Sequence, residues 1–166
     1  MAAWQFKFNL VPKAGVERVL GSSAEFIAEY ASIDRDNYEV DPDREFPNYW
    51  AEKSPKSYAE VVTRLLPPRS SWSEKALMFG LSDGDSVELW GDSFFVELDV
   101  RHYSRRLAQS LMEIAHADEL LVADTGEGRL FAPDLVLLER EIESSVAARF
   151  VANPAQTLRE IGRPAK

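Results

Sequence analysis

The chain has 166 residues, 28 of them acidic and 19 basic, for a formal net charge of −9. That length and a 45% hydrophobic content describe one globular domain rather than a disordered tail or two full domains. The absence of cysteine removes disulfides, thiolate metal sites and cysteine nucleophiles, and two histidines are too few for a histidine-rich metal centre.

Trp4, Phe6, Phe8 and Leu10 alternate with Gln5, Lys7 and Asn9, the two-residue period of a half-buried strand that Pro12 and Gly15 should end. The stretch from Gly15 to Gly21 is too short to assign. Ser22 and Glu25 have capping-box spacing, which predicts a helix over about 23–33 with Phe26, Ile27 and Tyr30 on one side. Ser54-Pro55 opens another helix, with Tyr58, Val61, Val62 and Leu65 as its apolar stripe and Pro67-Pro68 as its stop.

Three antiparallel strands are expected at 76–81, 86–90 and 94–101, joined by turns at Ser82-Asp83-Gly84-Asp85 and Gly91-Asp92-Ser93. Ser104 caps a helix to about Ala117 whose stripe is Leu107, Leu111, Ile114 and Ala115. A buried strand at 119–124, a short one at 129–132, a long helix from Pro133-Asp134 to Phe150 and a last helix after Asn153 complete the pattern. The order predicts a single α+β domain over 1–166. It is a mostly antiparallel sheet of about five or six strands with helices packed mainly on one face, and one parallel pair is possible through the 104–117 crossover. A long acidic and aromatic loop is expected at about 34–54.

The N-terminal residues lack the basic start and apolar run of a secretory signal, and no apolar run approaches the roughly 20 residues of a membrane span. The expectation is a soluble, cytoplasmic protein with no membrane role. Acids outnumber bases in both halves, 11 to 8 over 1–68 and 17 to 11 over 69–166, so nonspecific nucleic-acid binding is not expected.

Six acids and two arginines fall within 34–45, followed by Phe46, Tyr49 and Trp50. The acids match a calcium loop at its first, third and twelfth positions, but Tyr38 and Glu39 stand where a ligand and a glycine are required. Acids beside aromatics suit a basic, partly apolar protein surface, because the acids steer and the aromatics supply area. Asp34, Asp36, Asp41, Asp43, Phe46, Tyr49 and Trp50 are therefore the expected partner contacts.

A second candidate is Glu88, Glu97 and Asp99 on one sheet face, where converging carboxylates could divide acid and base roles or hold Mg²⁺. The ordinary reading is a charged outer face neutralised by Arg101. A third is Arg101, Arg105 and Arg106 at a helix start, an anion site unless they pair with neighbouring acids. Glu113 and His116 have Glu-x-x-His spacing, but one such motif does not make a di-iron site. Gly126-Glu127-Gly128 lacks the third glycine of a dinucleotide fingerprint, and no phosphate loop or nucleophile elbow occurs. Trp4 and Trp90 fit strands, whereas Trp50 and Trp72 flank the second helix and are placed to line a groove.

No metal, cofactor or catalytic residue is assigned. The leading expectation is a non-enzymatic protein-binding module, such as an inhibitor or bacterial immunity-type protein, for a basic partner. The alternatives are a small-molecule or metal-dependent enzyme built on Glu88, Glu97 and Asp99, and a self-associating structural subunit.

Overall fold

The computed structural model describes residues 4–31, 47–81 and 83–161. It is an α+β fold on one seven-stranded antiparallel sheet, slightly larger than the five or six strands expected. The strands are β1 (Gln5–Pro12), β2 (Pro68–Arg69), β3 (Leu77–Gly80), β4 (Ser86–Leu89), β5 (Phe94–Asp99), β6 (Leu120–Asp124) and β7 (Leu130–Phe131), in the spatial order β2-β3-β4-β5-β1-β6-β7. The additional strand is β2, two residues long, on the edge beside β3.

The first strand runs through the middle because both of its neighbours can use its alternation. Phe6, Phe8 and Leu10 lie opposite Leu98, Val96 and Phe94 of β5, and all six are buried. On the other side Leu10 pairs with Val122 of β6. The strands flanking β1 run parallel to each other but do not touch, so the possible parallel pair gives way to two antiparallel ladders. Burial of such side chains contributes about 1.5–3 kcal/mol each.

Helix α1 (Lys13–Leu20) starts directly after Pro12, where no helix was assigned. Proline at the N-cap ends the strand without breaking the helix, since the first amides need no intrahelical acceptor. The Lys13 amide instead donates to the Glu119 carbonyl at 2.9 Å. Among the described residues of the helix expected over 23–33, Ala28–Ala31 form α2, and the Ser22–Glu25 box does not form its cap. Segment 25–27 lies along the β7 edge: Leu130 donates to the Glu25 carbonyl at 2.8 Å, and Ile27 to the Gly128 carbonyl at 2.7 Å. Satisfying an open sheet edge outweighs one helix cap here.

Ser54 accepts from the Lys56 amide at 3.3 Å and starts a 3-10 turn, Pro55–Tyr58, that continues into α3 (Ala59–Thr63). Helix α4 (Arg105–Ala117) forms as expected: Ser104 accepts from the Leu107 amide, and Leu107, Leu111 and Ala115 are buried. The long C-terminal helix is two helices, α5 (Leu135–Ser144) and α6 (Val146–Ala152). Ser145 is extended between them, and its hydroxyl accepts from the Ala148 amide to cap α6. Asn153 accepts from Gln156 at the start of α7 (Pro154–Ile161). Among the described residues no helix is long and apolar enough to cross a membrane.

Candidate functional site

The register places Glu88, Glu97 and Asp99 on the sheet face opposite the Phe6–Phe8–Leu10 row. Glu97 lies between Lys7 and Ser86, accepting from the Ser86 hydroxyl at 3.0 Å and meeting Lys7 Nζ at 3.6 Å. Diagonal to it, Glu88 accepts from the Trp90 indole Nε1 at 3.1 Å and meets Arg69 Nη2 at 3.5 Å. Burial and the nearby Glu97 charge raise the Glu88 pKa above its usual range, while the Trp90 hydrogen bond, Arg69 and Lys7 oppose the rise.

Asp99 is a separate unit. Its side chain is 1% exposed and bidentate to Arg101, with Nε at 2.9 Å and Nη2 at 2.6 Å, and His102 Nε2 stands 3.6 Å away. The Arg101 hydrogen bonds hold its pKa below the ordinary carboxylate range. The guanidinium also sits over the Trp4 ring, 4.4 Å from the centroid. A division of acid and base roles between two carboxyls needs both to face one substrate. Here each carboxylate faces its own cation or donor: Glu97 and Glu88 tie strands together, and Asp99 holds Arg101.

The arginine group divides in the same way. Arg101 is committed to Asp99, and Arg105 Nε donates to Glu139 of α5 at 2.7 Å. Arg106 is exposed on the first turn of α4. The helix entrance is answered internally, since the Ser104 amide donates to Asp85 at 2.7 Å and the Leu107 amide to Ser104. Among the described residues, no group of three or more His, Cys, Asp or Glu side chains is placed to hold a metal ion. Glu113 accepts from Gln109 on its own helix.

Of the expected partner contacts, Asp34, Asp36, Asp41, Asp43 and Phe46 lie outside the described residues. Tyr49 and Trp50 are core residues, 3% and 2% exposed, which corrects their placement on a contact surface. Trp50 meets Tyr58 edge-on at 5.9 Å, and Tyr58 meets Phe94 at 5.4 Å, so this aromatic stack carries the 3-10 turn onto the sheet. Tyr49 meets Tyr30 edge-on at 6.2 Å. Burial, with help from the Glu29 charge, pushes the Tyr49 phenol up to about 12. Burial likewise raises Tyr30, with further contributions from Tyr49, Asp92 and Glu29.

Two groupings were not expected. Asp118, at the end of α4, accepts from Lys53 Nζ at 2.7 Å and from the Tyr58 hydroxyl, and Lys53 also donates to Tyr58 at 2.8 Å. Hydrogen bonding raises Lys53 and lowers Asp118, and burial raises Tyr58. Each shift favours the ion pair and the protonated phenol, so the three groups clamp the end of α4 to the segment 53–58. The clamp borders a shallow depression of about 200 Å³ lined by Lys13, Glu17, Asp118 and Glu119 among others.

The second is Trp72, 77% exposed, with its ring 5.3 Å from that of Trp90. Its exposure was legible as a loop position, its stacking partner was not. Comparison with family models, with curated proteins and with solved structures finds no match to this chain.

Proposed function

We propose that this chain is a non-enzymatic protein-binding module that holds a basic partner, as an inhibitor or immunity-type protein does. The observation that carries the reading is the Tyr30–Tyr49 contact, which brings together the two ends of segment 31–48. Six acids and two arginines of 34–45 lie between those ends. Tyr49 is buried and Tyr30 half-buried, so the chain is anchored on both sides of the segment, and such anchoring lowers the ordering cost of binding. A run of acids attracts a cationic surface and speeds encounter.

The competing enzymatic reading loses its support on the sheet face, because Glu88, Glu97 and Asp99 are each engaged by groups of their own chain.

The test is affinity capture with the full chain, followed by titration calorimetry against the recovered protein. A partner of basic pI is expected, with affinity falling as salt rises. The combined variant Asp34→Asn, Asp36→Asn, Asp41→Asn, Asp43→Asn should weaken it by about tenfold or more, a loss of roughly 1.4 kcal/mol. Recovery of no partner, or of one indifferent to salt and to these substitutions, refutes the proposal.

A further inference from the structure

We propose that Trp72, stacked on Trp90 beside the β4–β5 turn, is the aromatic anchor on which a basic protein partner seats an arginine or lysine side chain. This rests on the reading of the chain as a binder of a basic partner, and it names the part of the surface that gives grip.

An exposed tryptophan is costly to leave in water, and tryptophan is the residue most enriched at the energetic centres of protein contacts. Trp72 is also held in place. The Ser71 hydroxyl donates to the Ser73 carbonyl at 2.6 Å and accepts from the Ser73 amide at 3.1 Å, closing a turn around residue 72. The Trp90 ring supports the indole at a 58° tilt, and Trp90 is itself fixed through Nε1 to Glu88. An exposed ring that is already ordered loses little freedom when a partner arrives.

The occupant follows from charge and position. Glu74 and Asp92, both exposed, stand two residues from Trp72 and Trp90 respectively, with Lys75 as the opposing charge beside Glu74. Asp92 is also close enough to Tyr30 for its charge to act on the phenol, and Tyr30 is one wall of the base of the acidic segment. Trp90 and Tyr30 are thus both neighbours of Asp92 in the β4–β5 turn. Indole is the best of the side-chain rings for a cation. The protein already uses the interaction internally, with Arg101 over Trp4 and Lys53 over Tyr58 at 4.3 Å. Among the described residues, no cation of this chain lies over Trp72.

The test follows the indole N–H resonances of the ¹⁵N-labelled full chain during titration with hexa-arginine, with hexa-citrulline as the uncharged isostere. Trp72→Phe and Trp90→Phe assign the signals. Hexa-arginine should shift the Trp72 and Trp90 signals, and Trp72→Ala should weaken its binding by about three- to tenfold, with thermal unfolding confirming that the variant folds. Binding that is lost in the four-Asp variant but unchanged in Trp72→Ala overturns the anchor and leaves the proposed function standing. Equal binding of hexa-citrulline overturns the cationic occupant. Failure of hexa-arginine to bind the wild-type chain at low salt overturns both.

Discussion

Gly15 lies against the backbone of Tyr49: a Cβ at position 15 would stand 2.0 Å from the Tyr49 carbonyl oxygen. Helix α1 and the segment carrying Tyr49 and Trp50 are thus packed backbone to backbone, and no side chain fits between them. Gly15→Ala is expected to destabilise the protein by about 2–3 kcal/mol, because backbone cannot move aside as a flexible side chain can. Urea unfolding measures it, and a change under about 0.5 kcal/mol would contradict the close packing.

Trp50 should behave as a core residue. Trp50→Ala removes a fully buried ring from the stack with Tyr58 and should cost about 3–5 kcal/mol in the same assay. Trp72→Ala, by contrast, should cost about 0.5–1 kcal/mol, mostly its contact with Trp90. Equal costs for the two would mean that one of them is misplaced.

The Asp118 clamp predicts an acid-sensitive contribution. Its folded pKa is lowered, so its stabilisation is present above the unfolded carboxylate pKa and is lost as pH falls through the lower folded value. Asp118→Asn should cost about 1 kcal/mol at pH 7, modest because Asp118 and Lys53 are both partly exposed. The unfolding temperatures of the two proteins should draw together as pH falls below the unfolded carboxylate pKa of about 3.9. A gap that stays constant to pH 2 would rule out the ionic origin.

Glu88 has the opposite sign. Its folded pKa is raised, so the folded state favours the protonated form, and ionisation weakens folding as pH rises through the folded value. Glu88→Gln keeps an acceptor for Trp90 and removes the buried charge. Its melting temperature relative to wild type should be higher at pH 7 than at pH 4. A relative gain on acidification would show that the Arg69 pair, not burial, governs this residue.

The central meander was legible because residues 76–101 combine strict alternation with turn residues at the right spacing. The α4 cap and stripe were legible for the same local reason. Elsewhere tertiary contacts overrode local signals. Pro12 and Gly15 read as breaks, yet proline fits a helix entrance and Gly15 is required by Tyr49. The Ser22–Glu25 box lost to edge pairing with β7. Tyr49 and Trp50 took on the apparent character of their acidic neighbours, although aromatic rings beside charged residues can equally face inward. The Asp118 clamp joins residues 60 and 65 positions apart, which no local pattern reveals.

The place of β1 decides how far the chain must close on itself during folding. Strands β2 to β5 are neighbours in both sequence and space, so that part of the sheet can assemble from short-range contacts. The strand at its side must be fetched from the far end of the chain: Phe8 lies between Val96 on one side and Asp124 on the other. Closure of such long loops slows folding. A nascent chain that has not yet produced residues 120–124 leaves one edge of β1 open. The middle of the finished sheet is thus joined by contacts that span more than half of the chain.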